Sequence, residues 1–305
     1  MFFVALAVDY DGTLARDGRV DSATIDALQK VKNSGRKLIL VTGRDLTDLR
    51  RVFADIAIFD LVVAENGALL FDPAQKREDP LAPAPHDQFV EALRTRNVSP
   101  LSVGRSIVAT WEPNETVVLE AIRDLGLELH IIFNKGAVMI LPADVSKASG
   151  LREALKRMGL SPYNIVGIGD AENDQAFLKT CGCAVAVSNA LQSVKENVDF
   201  VVGDHGAGVV ELADLLTTTD LEDRPVAVSK IQPVIGKGSD GMNRQLNPFE
   251  TVLITGSSGG GKSTVVTALL EQMINRNLQF CVVDPEGDYA EFPAVVVGDA
   301  KQEPR

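Results

Sequence analysis

Two carboxylates at the end of an apolar segment are the first residues of this chain that could do chemistry. Asp9 and Asp11 follow residues 2–8, and Gly12 and Thr13 come directly after them. Side chains two apart on a strand point the same way, so both carboxylates can face one pocket. One can attack phosphorus, the other can transfer a proton, and both offer oxygen ligands to Mg²⁺. The segment therefore predicts phosphoryl transfer.

Two later segments could bind the phosphate. Thr42 and Gly43 follow apolar residues 37–41, and a hydroxyl and turn amides at a strand end can donate to phosphate oxygens. Lys147 opens a predicted helix. A cation is unfavourable at a helix N-terminus, so its presence there indicates a nearby anion, either phosphate or the nucleophilic carboxylate.

A fourth segment carries further acidic residues. Asp170 and Asp174 follow apolar residues 164–168, with Asn173 between them. Clustered carboxylates at a strand end opposite Asp9 make an oxygen-rich site suited to Mg²⁺. Each motif alone is weak, but four of them in this order, each at a strand end or helix start, favour catalysis over ordinary turns.

Alternating strands and helices should position these residues. Predicted strands cover residues 2–8, 37–41, 61–64, 164–168 and 183–187, and predicted helices cover 22–33, 46–54, 147–158 and 174–179. This rhythm is typical of an open parallel α/β sheet with ligands at the carboxyl ends of its strands.

Proline residues interrupt the rhythm between residues 79 and 85. We therefore predict a core made of residues 1–79 and 142–216 and an inserted α/β cap at 80–141. Polar, turn-rich residues 217–246 predict a linker, and residues 247–305 a second α/β module.

The composition of the chain indicates which binding partners are disfavoured and which cellular compartment is expected. The 305 residues are 45% hydrophobic and carry a formal charge of −12, which disfavours binding of nucleic acid or anionic membrane over the whole surface. Residues 2–8 are too short for a membrane span and lack the features of a signal peptide. Cys181, Cys183 and Cys281 do not suggest a disulfide framework, so a cytoplasmic setting is expected. A metal pair at Cys181 and Cys183 is the alternative to small core residues, but it lacks further ligands nearby.

In their order and spacing, the four motifs of residues 1–216 resemble those of haloacid dehalogenase (HAD) superfamily phosphatases of the Cof-type or sucrose-phosphatase-like group. The resemblance implies a Rossmann-like core with the cap between the second and third motifs. Segments 65–68 and 188–190 are further points of similarity, and Ala171 departs from the usual Gly or Ser.

The resemblance also implies a role for each motif residue. Asp9 would be the nucleophile that forms an aspartyl-phosphate, and Asp11 the general acid and base. Thr42, Gly43, Lys147 and Asn173 would contact the phosphate. Mg²⁺ would be held by Asp9, the backbone carbonyl of Asp11 and Asp170, with Asp174 supporting the metal or Lys147. Substrate choice would fall to the cap, whose candidates are Arg105, Trp111, His130, Asn134 and Lys135, each of which can also be an ordinary surface or packing residue.

A second phosphate motif lies far along the chain. Residues 256–264 match G-x-x-x-x-G-K-[ST] between an apolar strand predicted at 251–255 and a helix predicted at 263–274. The motif predicts an ATP site in which backbone amides cradle the phosphates, Lys262 reaches the β- and γ-oxygens and Ser263 binds Mg²⁺. Its predicted nucleotide-binding residues are Gly256, Ser258, Gly259, Gly260, Gly261, Lys262, Ser263 and Thr264.

With the acidic turn 284–289 after a predicted strand at 279–283, this segment resembles HerA/FtsK-like motor ATPases. We favour that interpretation over a Walker B role for Asp284. The similar segment spans only residues 247–294, so we expect a partial module, and the resemblance implies oligomerisation through the ATPase part.

Three functions remain open from the sequence. The leading one is a Mg²⁺-dependent phosphomonoesterase acting on a small phosphate ester, such as a sugar phosphate or phosphoglycolate. The alternative is an ATP-binding motor protein with the HAD-like part as an accessory or regulatory module. A binding module without turnover is the third, and the presence of Asp9, Asp11, Lys147 and Asp170 together argues against it.

Overall fold

The structure is a computed structural model that describes residues 2–134, 136–224, 233–246, 251–276, 278, 280–284 and 289. The chain divides into two compact units, Met1–Lys230 and Ile231–Arg305. The acidic-turn residues 285–288 and the cap candidate Lys135 lie outside the described residues.

The described elements follow in chain order. The strands are β1 Ala5–Asp9, β2 Lys37–Val41, β3 Leu61–Ala64, β4 Leu69–Asp72, β5 Arg77–Pro80, β6 Ser102–Val103, β7 Val108–Trp111, β8 Leu129–Asn134, β9 Ala137–Pro142, β10 Ile165–Gly169, β11 Cys183–Val187, β12 Phe200–Val202, β13 Val234–Lys237 and β14 Asn243–Gln245. The helices are α1 Ser22–Asn33, α2 Leu46–Val52, α3 Asp87–Thr95, α4 Glu115–Asp124, α5 Lys147–Met158, α6 Gln175–Thr180, α7 Gln192–Lys195, α8 His205–Thr218 and α9 Lys262–Asn275.

The first unit is built on one eight-stranded sheet. Its strand order is β12-β11-β10-β1-β2-β3-β4-β5, and all pairs from β12 to β3 are parallel. The strands β1, β2 and β10 are almost entirely buried and apolar, as expected for strands covered by helices on both faces. The predicted Rossmann-like α/β fold is confirmed.

Two strands at one edge were not predicted. β4 pairs antiparallel with β3, and β5 pairs antiparallel with β4. The sequence of β5 (Arg77, Glu78, Asp79, Pro80) carries no apolar alternation, because an edge strand needs no buried face. Proline is tolerated there, since an edge strand leaves some amides unpaired.

Strand order places the predicted catalytic segments side by side. β1 lies between β10 and β2, so the chain leaves β1 in one direction toward β2 and reaches β10 on its other side. Open α/β sheets bind ligands at such a switch point, at the carboxyl ends of the strands. Asp9 is the last residue of β1, Thr42 follows β2, and Asp170 follows β10.

Residues of the predicted cap form a separate antiparallel sheet with the order β6-β7-β9-β8. α3 and α4 supply apolar side chains to its own buried cluster, which contains Phe89, Leu93, Val118, Val138 and Ile140. The cap therefore has a core of its own, and β7 and β9 can present their other face to the catalytic strand ends.

The second unit contains the hairpin β13–β14 and the helix α9 among its described residues. The strands predicted at 251–255 and 279–283 do not form in the described residues, and this expectation was wrong. Leu253 is 85% exposed and Val283 is 89% exposed. Apolar segments become strands only when neighbouring strands and a covering layer bury them. No helix among the described residues is both long and apolar enough to cross a membrane.

Candidate active site

A buried lysine joins two aspartates that are far apart in the sequence. Lys147 Nζ lies 2.6 Å from Asp9 Oδ1 and 2.6 Å from Asp174 Oδ1. The side chain of Lys147 is 1% exposed, and those of its two partners are 3% and 0% exposed. Ser146 caps α5 by accepting from the Ser149 amide, which fixes the first turn of the helix and with it Lys147. The cation predicted at this helix start thus has two carboxylate partners.

Asp174 is oriented by the loop that follows β10. Its Oδ2 accepts hydrogen bonds from the backbone amides of Asp170 and Ala171, each at 2.9 Å. Asp170 is itself buried and accepts from the Thr13 hydroxyl at 3.3 Å. Carboxylate oxygens of Asp9, Asp170 and Asp174 all lie within 4.8 Å of one another. These three predicted metal residues therefore form one cluster.

The cluster carries more negative than positive charge. The cluster contains three carboxylates and the one ammonium that pairs with two of them, which leaves two negative charges unbalanced when all four groups are ionised. Burial and the neighbouring Asp174 raise the pKa of Asp9 well above 3.8, against the opposing effect of Lys147. Burial opposes the charge on Lys147, but Asp174 and Asp9 outweigh it and raise the pKa of the ammonium.

This donor set fits Mg²⁺, because hard oxygen ligands and an excess of buried negative charge both favour a divalent cation. Asp9, Asp170 and Asp174 are the residues that would hold the metal. Asp11 is not part of the side-chain cluster, and the role of its backbone carbonyl stays a prediction.

Mg²⁺ should stabilise the protein more at pH 8 than at pH 5. The pKa of Asp9 is raised in the folded state, so ionising Asp9 as the pH climbs above 3.8 costs stability that the cation restores. At a hundredfold excess over Kd the gain is about 2.7 kcal/mol, or roughly 5–10 °C in Tm for a unit of this size. Thermal unfolding with Mg²⁺ and with EDTA at both pH values measures the gain. Asp170→Asn should remove most of it, and an equal gain at both pH values in the unaltered protein would contradict the assignment.

The second predicted catalytic carboxylate is held by an arginine. Both oxygens of Asp11 accept from Arg44, Nε to Oδ2 and Nη2 to Oδ1, each at 2.7 Å. Arg44 also pairs with Asp48 and lies over the ring of Tyr10, 5.5 Å from its centroid. Such a bidentate pair is among the stronger polar contacts in proteins, so Arg44 determines where Asp11 points.

The predicted phosphate-binding residues surround the same strand ends. Thr42 is buried, and its hydroxyl accepts from the Arg44 amide at 3.1 Å, which leaves its own proton available to a ligand. Gly43 lines the cavity that contains Asp9 and Lys147. Asn173 lies between β10 and α6 and donates to Asn66 Oδ1 at 3.3 Å.

A cavity of about 900 Å³ extends from the aspartates to the cap. Of the five cap candidates, Trp111 and Asn134 line this cavity, and Trp111 is 51% exposed. Arg105 instead pairs with Glu78 at 3.1 Å, and His130 is not among the lining residues. Sequence reasoning missed the other cap residues that line the cavity, which are mostly small or apolar: Pro100, Ser102, Val103, Ile107, Ala109, Thr110, Ala137 and Met139.

Further residues that support the site were not assigned from the sequence. Thr13 donates to Asp170, and Asn189 donates to the Gly12 carbonyl at 2.7 Å, which fixes the turn after Asp11. In the sequence, segments 65–68 and 188–190 are recognisable only as points of similarity to the family. The signal was present in the polar residues that follow each strand, but their partners could not be read from the sequence.

The second phosphate motif forms a loop followed by a helix. Gly259 and Gly261 have φ of +75° and +81°, a backbone conformation that favours glycine. α9 begins at Lys262, whose Nζ donates to the carbonyls of Gly256 at 3.1 Å and Ser257 at 2.9 Å. The lysine thus folds back over its own loop, and phosphate oxygens would have to replace these carbonyl partners.

Comparison with known families agrees with the fold. Residues 6–116 and 118–212 match the haloacid dehalogenase-like hydrolases, and the chain belongs to this family. Residues 249–302 match the central domain of helicase HerA, which fits the predicted fusion.

The curated relatives indicate which class of hydrolase this chain belongs to. A phosphoglycolate phosphatase from Methanothermobacter thermautotrophicus is 32% identical over 216 residues, covering 68% of this chain and 96% of that protein. Another, from Sulfolobus acidocaldarius, is 29% identical over 234 residues, covering 72% and 98%. The chain is therefore a phosphoric monoester hydrolase, as predicted.

Solved structures support the fold. A haloacid dehalogenase-like hydrolase from Bacteroides thetaiotaomicron superposes with a TM-score of 0.61 at 18% identity, covering 70% of this chain and 99% of that one. A HAD superfamily phosphatase from the same organism gives a TM-score of 0.56 at 23% identity, covering 70% and 93%.

Proposed function

We propose that the chain is a Mg²⁺-dependent phosphomonoesterase that acts through an aspartyl-phosphate on a small phosphate ester. The observation that carries the proposal is the buried contact of Lys147 with both Asp9 and Asp174 at the carboxyl ends of β1 and β10. The same cavity contains Asp11, a second carboxyl able to transfer protons.

In the first step an Asp9 oxygen attacks phosphorus, and the bond from phosphorus to the ester oxygen breaks. Asp11 gives a proton to the leaving alcohol, which requires one of its oxygens to leave the contact with Arg44. Lys147 and the Thr42 hydroxyl hold the phosphoryl oxygens and balance their charge. In the second step Asp11 removes a proton from water, the water oxygen attacks the aspartyl-phosphate, and the Asp9 carboxylate is released with inorganic phosphate. Asp9, Asp170 and Asp174 would hold Mg²⁺, which would neutralise part of the negative charge of the phosphate and of these aspartates.

Two substrate classes remain candidates. The relatives are phosphoglycolate phosphatases, which supports phosphoglycolate. The cavity volume of about 900 Å³ is in the range that holds drug-sized ligands, which supports a larger leaving group such as a sugar. Its cap wall is uncharged among the described residues, and the lining arginines Arg44 and Arg51 already pair with Asp11 and Asp48. An exposed Trp111 can also cover the apolar face of a sugar ring.

The test is release of inorganic phosphate from phosphoglycolate, a set of sugar phosphates and ATP, with Mg²⁺ and with EDTA. We expect Mg²⁺-dependent release from one of the two ester classes. Absence of release from every ester would refute the proposal. We also propose a cytoplasmic location, which suits the reduced cysteines, and leave oligomerisation through the ATPase part as a prediction.

A second candidate function is ATP binding by the second unit. The glycine-rich loop with Lys262 at the start of α9, together with the match to the HerA central domain, supports it. In this alternative the phosphatase unit is an accessory of a motor protein.

Lys262→Ala should weaken ATP binding by at least about tenfold and leave phosphate-ester hydrolysis unchanged. Among the described residues, the hydrogen bonds of Lys262 Nζ are to carbonyls of its own loop. Calorimetric titration with Mg-ATP and the phosphate-release assay measure the two effects. Lys237→Ala, an exposed change in β13, is the control. A marked change in ester hydrolysis would show that the two sites are coupled.

A further inference from the structure

One buried carboxylate of the core binds three backbone amides of the cap. Glu65 follows β3 and is 1% exposed. Its Oε1 accepts from the Arg105 amide at 2.8 Å, and its Oε2 accepts from Ser106 at 2.8 Å and Ile107 at 3.1 Å. Hydrogen bonds from amides to an ionised carboxylate are about twice as strong as neutral ones. Both oxygens of Glu65 therefore accept hydrogen bonds, and the donors are three consecutive backbone amides of the cap.

The backbone of the same residue is tied to the phosphate loop. The Glu65 amide donates to the Arg44 carbonyl at 2.9 Å, and the Asn66 amide donates to the Thr42 carbonyl at 3.0 Å. Glu65 therefore lies between the loop predicted to bind phosphate and the loop that enters the cap. The side chain and the backbone of Glu65 thus connect these two loops directly.

The turn that carries Glu65 is strained and closely packed. Glu65 and Asn66 have φ of +52° and +53°, values that non-glycine residues rarely adopt. A Cβ on Gly67 would lie 1.9 Å from the Ser146 carbonyl, directly before Lys147. Strained backbone of this kind persists only where its surroundings hold it, and it concentrates at functional sites. The turn thus also packs against the start of α5.

The cap loop itself is shaped to meet Glu65. A Cβ on Gly104 would lie 2.8 Å from Glu65 Oε1 and 2.7 Å from Ile107. Ile107 lines the substrate cavity, and β7 continues from it to Trp111, which lines the cavity as well. The position of this wall therefore depends on where the loop docks.

We propose that Glu65 is a positioning residue that sets the substrate-selecting wall of the cap against the phosphate loop. The proposal rests on the proposed phosphatase function for its kinetic consequence, but the docking contact can be measured without it. Glu65 touches no reacting atom in this proposal; it acts through Ile107 and β7.

The test uses the full chain and two variants that disturb the contact from opposite sides. Glu65→Gln keeps the size of the side chain but places an amide group where an oxygen accepted an N–H. Gly104→Ala leaves the core unaltered and adds a methyl group that pushes the cap loop away. If Glu65→Gln fails to fold, Gly104→Ala still carries the test. Glu78→Gln is the control, because Glu78 pairs with the side chain of Arg105 and not with the loop amides. That side chain is 66% exposed, so the ion pair contributes little.

Hydrogen exchange is the first readout. We expect the amides of Arg105, Ser106 and Ile107 to exchange at least about tenfold faster in Glu65→Gln and Gly104→Ala, with β1 and β10 unchanged. Glu78→Gln should match the unaltered protein. Unchanged exchange at these three amides in both variants would overturn the proposal, whatever the enzyme hydrolyses.

Kinetics are the second readout. With the best ester of the phosphate panel, KM should rise about tenfold while kcat stays within about threefold, because the nucleophile and Lys147 are untouched. Partial unfolding would instead lower apparent kcat at constant KM. Faster amide exchange with an unchanged KM would overturn the positioning role. If the unaltered enzyme hydrolyses no ester, the proposed function fails and the exchange result alone decides on Glu65.

Discussion

Asp9→Asn should abolish phosphate release, lowering kcat by at least about three orders of magnitude, because an amide cannot form the aspartyl-phosphate. The fold should persist, since Asn has nearly the shape of Asp and its oxygen can still accept from Lys147 Nζ. The change also removes one charge from a buried cluster with excess negative charge, so we expect no large loss of stability. Single-turnover assays on the best ester and thermal unfolding measure both effects.

The same variant tests the chemistry as well as the residue. Acid quenching during turnover, followed by mass spectrometry, should find a phosphoryl group on the peptide containing Asp9 in the unaltered enzyme and none in Asp9→Asn. Asp144→Asn is a matched control, because Asp144 is an exposed carboxylate just before α5. Turnover retained in Asp9→Asn would refute the covalent mechanism.

The parallel core was predictable because its strands carry their own signal. β2, β3 and β11 begin and end where the apolar segments predict, since burial on both faces leaves a continuous apolar run. The strand ends and the start of α5 then determine which polar residues meet, which is why Asp9, Lys147, Asp170 and Asp174 could be grouped from the sequence. β5 escaped prediction because a charged edge strand gains its stability from one neighbour, not from a buried face.

Pairings between distant side chains were not predictable. The sequence predicts that Thr42 and Gly43 bind phosphate, but it does not indicate that the neighbouring Arg44 holds Asp11. Likewise Glu65 is marked only by its place after a strand, whereas its three amide partners lie forty or more residues away. Such contacts depend on how the cap docks, and docking is set by the tertiary structure.

The cap residues that line the cavity were also difficult to predict from the sequence. The sequence offers polar, charged and aromatic residues of the cap as specificity candidates, yet most described cap residues on the cavity are small or apolar. A residue such as Ala109 or Met139 carries no chemical signal, because its effect on a substrate is the shape and dryness of the wall. Only the structure shows which face of the antiparallel sheet borders the cavity.

Lys147→Met should lower both stability and turnover. Methionine fills a similar volume, but it leaves the carboxylates of Asp9 and Asp174 buried without their cation. Removing one partner of a buried ion pair typically costs about 3–5 kcal/mol of unfolding free energy, and losing a phosphate-binding cation about two to three orders of magnitude in kcat. Chemical denaturation in EDTA and phosphate-release assays measure the two losses.

The dependence of the stability of Lys147→Met on pH and on Mg²⁺ distinguishes this electrostatic effect from a packing defect. Without Lys147 the pKa of Asp9 rises further, because the lowering effect of the ammonium is lost. Protonation then relieves the repulsion, so the stability difference from the unaltered protein should shrink as the pH falls toward 5. Mg²⁺ should restore part of the stability but not turnover, since the metal replaces the charge of Lys147 and not its position on the phosphate. Lys156→Met, on the exposed face of the same helix, is the control and should change neither stability nor turnover. A stability loss in Lys147→Met that is independent of pH and Mg²⁺ would show that Lys147 acts through packing alone.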